Sequence, residues 1–120
     1  MQPASVVLYQ KDAGAARTLI NELSQRLHAV HLARTSEEIR PTLARHRAEV
    51  LILDLENSCL NEVERLHQEF PAVSIVCTHR LADEELWTAA VTQGAADVCE
   101  PWNTDDVMRA IVREQGRAAA

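Results

Sequence analysis

A chain of 120 residues can bury one hydrophobic core without disulfides or a metal, and it is too short for two domains. Apolar residues make up 47% of the chain and charged residues 25%, an ordinary globular composition that excludes intrinsic disorder. Acidic residues outnumber basic ones 18 to 12, for a formal charge of −6, and no run of Lys or Arg occurs, so nucleic acid and anionic membranes are not expected as partners.

The N-terminal segment MQPASVVLYQ has no basic stretch followed by a long apolar one, so no signal peptide is predicted. Nowhere do about 18 uninterrupted apolar residues occur, so no membrane span is predicted either. The three cysteines, Cys59, Cys77 and Cys99, are an odd number without the spacing of a disulfide framework, which suits reduced thiols. These features predict a cytoplasmic protein.

Segments that predict strands alternate with segments that predict helices along the chain. The strand segments are short and rich in β-branched and aliphatic residues. They cover residues 5–9, 28–33, 49–55, 72–78 and 96–99. The helical segments have apolar residues at helical spacing. They cover residues 14–27, 35–46, 60–70, 82–94 and a fifth segment that begins at Asn103 or Thr104, with residues 116–120 as a tail or the start of a linker.

Several helix boundaries carry specific signals. In the first helix the apolar face is expected to extend to Leu27. Thr35 and Glu38 have the spacing of a capping box at the start of the second helix. Pro71 is expected to end the third helix and Gly94 the fourth.

Five β-α units in one small chain predict a doubly wound α/β domain, with a parallel sheet and helices on both of its faces. In such sheets the ligand or reacting site lies at the carboxyl ends of the strands. The apolar segment EVLILDLE places Asp54 at the end of the third strand. Asp54 is therefore the first candidate for a functional residue.

Three stretches resemble the response-regulator receiver domain: VLILDLENSCLNEVERL, SIVCT with its final Thr78, and GAADVCEPW. The resemblance covers residues 1–115 and implies a flavodoxin-like (CheY-like) sheet with strand order 2-1-3-4-5 and five helices. In that family the aspartate at the end of the third strand accepts a phosphoryl group from a histidine kinase, and Asp54 occupies its place. The family's Ser or Thr at the end of the fourth strand binds that group and reorients, and Thr78 matches it.

The chain departs from the family at the other pocket positions. The family holds Mg²⁺ with an acidic pair after the first strand, where this chain has Gln10 and Lys11 and only Asp12 remains as a weak candidate ligand. Glu100 stands where the family has lysine, or the lysine is deleted. A cofactor is therefore not expected, and Mg²⁺ would bind only if Asp54 is a working phosphoacceptor.

Two interpretations of Asp54 follow from these substitutions. If the Lys11 side chain points inward, its ammonium group pairs with Asp54 or Glu100. If Lys11 is a solvated loop residue, Asp54 is instead a strand-end carboxylate that accepts hydrogen bonds from nearby backbone N–H groups.

Three functions remain open at this point. The favoured hypothesis is an atypical receiver domain, a non-enzymatic regulatory module in signal transduction without efficient Mg²⁺-dependent phosphotransfer. One alternative is a working phosphoacceptor at Asp54, with Thr78 as the switch. The other is a metal or redox sensor that uses Cys77, His79 and Cys99, since both cysteines end predicted neighbouring strands.

The fourth helix predicts a protein interface. Trp87 and Val91 form a second apolar pair at i and i+4, beside the stripe that can face the sheet. The family implies that the face built from the fourth helix, fifth strand and fifth helix binds a histidine kinase, an effector domain or a second copy. Trp87, Val91 and Trp102 are therefore candidate interface residues, and the alternative for Trp87 is that it covers the edge of the core.

Overall fold

The computed structural model describes the backbone of residues 2–119 and the side chains of residues 4–117. The strands are Gln2–Tyr9 (β1), Leu27–Ala33 (β2), Val50–Asp54 (β3), Ser74–Thr78 (β4) and Asp97–Cys99 (β5). The helices are Ala13–Ser24 (α1), Ile39–His46 (α2), Leu60–Glu69 (α3), Glu84–Thr92 (α4) and Thr104–Ala119 (α5). All strand pairs are parallel, in the order β2-β1-β3-β4-β5, which confirms the expected sheet.

The sheet separates two hydrophobic clusters because successive side chains of a strand point to opposite faces. On β1, Val7 and Tyr9 belong to one cluster, while Val6 and Leu8 belong to the other. Helices α2, α3 and α4 cover the first cluster, and α1 and α5 cover the second. The predicted doubly wound architecture is therefore confirmed.

The helix ends differ from the sequence prediction at several places, and α4 is two residues shorter at each end than the predicted 82–94. α1 ends at Ser24, and Leu27 is the first residue of β2 rather than the end of the helix. A buried Leu there satisfies both the helical and the strand pattern, so periodicity alone could not assign it. α5 continues to Ala119, so residues 116–119, predicted as a tail or the start of a linker, are helical, because alanine is a strong helix former and one glycine is tolerated.

The start of the second helical segment follows its predicted signal. A 3₁₀ turn over Ser36–Glu38 precedes α2. The Glu38 carboxylate accepts a hydrogen bond from the Thr35 backbone N–H at 3.2 Å, as a capping box requires. Only Ile39 and Leu43 of α2 are buried, so this helix has a narrow apolar face. None of the described helices has the length and apolar character needed to cross a bilayer.

Gly94, in the turn between α4 and β5, occupies a position that excludes a side chain. Its φ is +116°, and a Cβ built there would lie 2.6 Å from Cγ of His67 on α3. We expect Gly94→Ala to lower the free energy of unfolding by about 2 kcal/mol or more, since backbone strain and the clash add. Urea unfolding measures this. Gly116→Ala is the matched control, because nothing lies within 4 Å of a Cβ at Gly116 and alanine favours the helix. Equal effects of the two substitutions would contradict the expectation.

Candidate functional site

The candidate site lies at the carboxyl edge of the sheet, where several strands end together. Asp54, the last residue of β3, pairs in register with Thr78, the last residue of β4. Gln10 follows β1 directly at the same edge. A cavity of about 530 Å³ opens there. Its polar lining includes Gln10, Asp12, Asp54, Glu56, Asn57 and Arg80, and Trp102 contributes to its wall.

The Asp54 carboxylate is held by three N–H donors. Its side chain is only 1% exposed. Oδ2 accepts hydrogen bonds from the Lys11 backbone N–H at 3.0 Å and from Asn57 Nδ2 at 2.7 Å, and Oδ1 accepts from the Glu56 backbone N–H at 3.1 Å. These charge-assisted bonds offset the cost of burying the carboxylate. Burial of Tyr9 raises the pKa of its hydroxyl most, and the negative charge of Asp54 raises it further.

The first interpretation, an ion pair between Lys11 and Asp54 or Glu100, is wrong. The Lys11 side chain is exposed, and among residues 4–117 no ion pair joins it to Asp54 or Glu100. Its backbone N–H contacts Asp54 instead. Burying an ammonium group costs desolvation and side-chain entropy, whereas a backbone N–H in the loop just after β1 needs an acceptor in any case. The second interpretation, a carboxylate that accepts backbone hydrogen bonds, is the one that the structure shows.

Gln10 and Thr78 form a buried polar pair across the end of β3. Thr78 is fully buried and Gln10 is 7% exposed. The Thr78 hydroxyl donates to Gln10 Oε1 at 2.8 Å. The sequence predicted that both residues lie at this edge, but it did not predict their bond. The sequence feature that could have indicated this bond is the position of Gln10. Its amide side chain follows β1 directly, at the edge of the sheet where β4 also ends.

Glu56 and Arg80 form an ion pair that sequence reasoning missed. Arg80 Nε lies 2.7 Å from Glu56 Oε1, and the Arg80 backbone N–H donates to Oε2 at 3.3 Å. This guanidinium holds the pKa of the Glu56 carboxyl below its usual value. The Arg80 side chain is 73% exposed, so the pair contributes little to stability. It does connect the turn after β3 to the loop after β4 along the cavity wall.

The remaining site residues predicted from sequence are placed as follows. Asp12 lines the cavity, and its Oδ2 accepts from the Ala15 backbone N–H at 2.8 Å as the N-cap of α1. Glu100 is half-buried and its carbonyl accepts from Asn103 N–H at 3.0 Å. The peptide between Glu100 and Pro101 is trans. Among the described side chains, no group of three or more His, Cys, Asp or Glu residues could hold a metal ion.

The structure does not bring together the residues of the metal or redox hypothesis. Cys77 packs in the cluster on one face of the sheet and Cys99 in the cluster on the other. His79 Nδ1 accepts from the Leu81 backbone N–H at 2.9 Å. Burial raises the pKa of both the Cys77 and Cys99 thiols to about 12, which disfavours the thiolate that binds metals or forms disulfides.

This geometry predicts selective alkylation of the three thiols. At about pH 8 we expect iodoacetamide to modify exposed Cys59 about a hundredfold faster than Cys77 or Cys99. The rate depends both on the exposure of the sulfur atom to the reagent and on the fraction of the thiol that is ionised. Peptide mass spectrometry over a time course measures the rates. In urea all three cysteines should react at similar rates. A native Cys77 that reacts as fast as Cys59 would contradict the buried arrangement.

The candidate interface residues lie in two places. Trp87 is 44% exposed and its indole N–H donates to Asp97 Oδ1 at 3.0 Å, while Val91 is half-buried. Arg113 Nη2 of α5 lies 3.2 Å from Asp97 Oδ2, so α4, β5 and α5 are joined at one surface. Trp102 is 58% exposed, but it follows the other end of β5 and lines the Asp54 cavity.

Solved structures share this fold. No family model matches the chain, and no curated protein does. A response regulator from Thermotoga maritima is 20% identical with a TM-score of 0.82, over 95% of this chain and 98% of that one. A two-component response regulator from Clostridium difficile is 13% identical with a TM-score of 0.83, over 98% and 99% of the two chains. The N-terminal signal receiver domain of a Bacteroides fragilis response regulator is 16% identical with a TM-score of 0.83, over 94% and 97%.

These similarities cover nearly the whole of each chain. They establish that the chain has the fold of response-regulator receiver domains. At 13 to 20% identity they establish the fold alone, and function depends on the residues of the site.

Proposed function

We propose that this chain, which has the receiver-domain fold, is an atypical receiver domain that works through protein contacts and without efficient phosphotransfer to Asp54. It is a regulatory module and not an enzyme. The observation that carries the proposal is the state of Asp54. Three N–H donors of the chain itself already satisfy the carboxylate that the family uses as phosphoacceptor.

The residues at this site do not fit a Mg²⁺ ion. Mg²⁺ requires near-octahedral coordination by oxygen ligands. The two positions of the family's acidic pair hold a neutral amide, Gln10, and a cation, Lys11. Gln10 Oε1 is bonded to Thr78, and an oxygen of Asp12 is bonded to the N-terminus of α1. A neutral amide and a cation replace two negative charges, so the site attracts a divalent cation less strongly than an acidic pair does.

The Gln10–Thr78 bond supports a fixed state rather than a switch. In the family the Ser or Thr at this position binds the phosphoryl group and reorients. Here the Thr78 hydroxyl already has an acceptor, Gln10 Oε1, in a fully buried position. Moving Thr78 away would leave a buried polar group without a partner, which costs about 1–3 kcal/mol. The domain therefore holds one arrangement at this edge without phosphorylation.

The surface of α4, β5 and α5 is the proposed contact site for a protein partner. Trp87 offers a large exposed ring that is held in place by Asp97, and Val91 lies one turn further along α4. Large aromatic side chains of this kind dominate many interfaces. The partner is a histidine kinase, an effector domain or a second copy of the chain. Trp102 belongs to the cavity and is a separate candidate contact.

Incubation with Mg²⁺ and a small-molecule phosphoryl donor tests the proposal. We expect intact mass spectrometry to detect no phosphoryl adduct, because the site lacks the metal ligands that stabilise the transferring group. Asp54→Asn is the control for modification elsewhere.

An adduct that is present in the native chain and absent from Asp54→Asn would contradict the proposal. It would favour the alternative function, a working phosphoacceptor at Asp54. That alternative is supported by the fact that Asp54 and Asp12 line the same cavity. Thr78 would then be its switch residue.

A further inference from the structure

A second cavity, of about 400 Å³, lies between α1 and the edge strand β2. We call it the basic groove. Its lining includes Lys11, Arg17, Ile20, Asn21, Leu32 and Arg34. These residues come from the loop after β1, from α1, from the end of β2 and from the residue that follows β2. The groove therefore brings together cations that form no cluster along the chain.

The groove is positively charged in a chain whose formal charge is −6. Lys11, Arg17 and Arg34 line it, and of the described side chains in its wall none is acidic. All three cations are exposed, and none of them takes part in an ion pair within residues 4–117. By contrast, Arg40, Arg80 and Arg113 are paired with carboxylates. Three unpaired cations around one cavity favour an anionic ligand.

Gln10 adds a neutral hydrogen-bond donor to the groove. It is 7% exposed and lines the basic groove as well as the Asp54 cavity. Its carbonyl oxygen accepts from Thr78, but none of the described hydrogen bonds uses its amide nitrogen. The nitrogen is not among the described side-chain atoms that are fully buried and lack a partner, so it reaches solvent at the groove. It can donate a hydrogen bond to a ligand atom there.

The base of the groove is apolar. Ile20 of α1 and Leu32 of β2 are half-buried and pack against the cluster beneath α1 and α5. The ligand therefore has an apolar part as well as an anionic one. The cavity volume lies within the range of small-molecule sites, about 300–1,000 Å³.

We propose that the basic groove binds a small organic phosphate monoester with an apolar body. The guanidinium groups of Arg17 and Arg34 match the geometry of a phosphate group, and Lys11 supplies a third positive charge to the groove. The phosphate group of a monoester carries nearly two negative charges, so it is suited to this site. The apolar body lies over Ile20 and Leu32. This site requires no phosphotransfer to Asp54, so its test is separate from that of the proposed function.

Titration of the full chain with phenyl phosphate, followed by ¹H–¹⁵N spectra, tests the proposal. We expect saturable shifts at residues of the groove, and binding about tenfold weaker in Arg17→Gln/Arg34→Gln. The matched control is Arg26→Gln/Arg45→Gln, which removes the same two charges from exposed positions outside the groove and should change affinity less than about twofold. Inorganic phosphate should bind more weakly than phenyl phosphate, and phenol should not bind.

Three results would overturn the proposal. The first is the absence of saturable shifts at the groove. The second is an equal loss of affinity in the two double variants, which would indicate diffuse attraction to the surface. The third is equal affinity for inorganic phosphate and phenyl phosphate, which would exclude a role for the apolar base.

Discussion

Replacing Asp54 by alanine is expected to lower the free energy of unfolding by about 4 kcal/mol. The substitution removes the acceptor of three hydrogen bonds, from the backbone of Lys11 and Glu56 and from the side chain of Asn57. A donor left without a partner in a buried position costs about 1–3 kcal/mol, and these bonds are to a charged group. The loss also removes the N-cap of the 3₁₀ turn that follows β3. Urea unfolding followed by circular dichroism gives the difference.

Asp83→Ala is the matched control for this substitution. Asp83 is also an N-cap, and its carboxylate accepts one bond, from the Leu86 backbone N–H at 2.8 Å in an exposed position. Its replacement should cost about 1 kcal/mol, as exposed caps usually do. Asp54→Asn should fall between the two, since an amide can accept at one oxygen only. If Asp54→Ala were as mild as Asp83→Ala, the carboxylate would not be held in the way described.

The double variant Gln10→Asp/Lys11→Asp is expected to acquire a stability that depends on Mg²⁺. It introduces, next to buried Asp54, the acidic pair that receiver domains carry after their first strand. Without metal, like charges close together at a buried edge should destabilise the fold by about 2–4 kcal/mol. Bound Mg²⁺ offsets that repulsion, and a metal at a hundred times its Kd adds about 2.7 kcal/mol of stability. Thermal unfolding with and without Mg²⁺ measures both effects.

Two comparisons separate charge from side-chain size in that experiment. The native chain should show no Mg²⁺-dependent change, and Gln10→Asn/Lys11→Asn should resemble it in this respect, because amides do not replace carboxylates as Mg²⁺ ligands. A native chain that Mg²⁺ stabilises as strongly as the double aspartate variant would show that Gln10 and Lys11 do not decide metal binding.

The sheet and its helices could be predicted because their residues act locally. Alternation of short aliphatic segments with amphipathic ones requires only periodicity, and it indicated β3 and α3 nearly to their ends. The capping box at Thr35 and Glu38 was readable for the same reason. Leu27 was misassigned because an apolar residue at a helix–strand boundary fits both patterns.

The contacts of the site could not be predicted because they depend on side-chain direction. Sequence identified Asp54, Thr78, Gln10 and Lys11 as neighbours, but it could not show that the backbone of Lys11 and not its ammonium group reaches Asp54. The face of the sheet to which a strand residue points was equally hard to predict. Cys77 precedes the last residue of β4 and Cys99 is the last residue of β5, so they are one position apart in the register and face opposite clusters.

The basic groove escaped sequence analysis for a different reason. Lys11, Arg17 and Arg34 are separated by at least one turn of helix or by a whole β-α unit, so no window of the sequence contains a cationic run. Only the parallel packing of β1 and β2, with α1 above them, places them around one cavity. Composition gives the net charge of the chain, but it does not show where on the surface the charges lie.

We propose that the Asp54 carboxylate, which the chain's own donors hold, takes no phosphoryl group. The most direct measurement is the ¹H–¹⁵N spectrum of the Lys11 and Glu56 backbone amides with and without Mg²⁺ and beryllofluoride, which mimics the phosphoryl group. Both amides donate to Asp54, at 3.0 and 3.1 Å, so they report on any change at its oxygens. We expect their resonances to stay unchanged. Shifts of both resonances that disappear in Asp54→Asn would contradict the claim and identify Asp54 as a working phosphoacceptor.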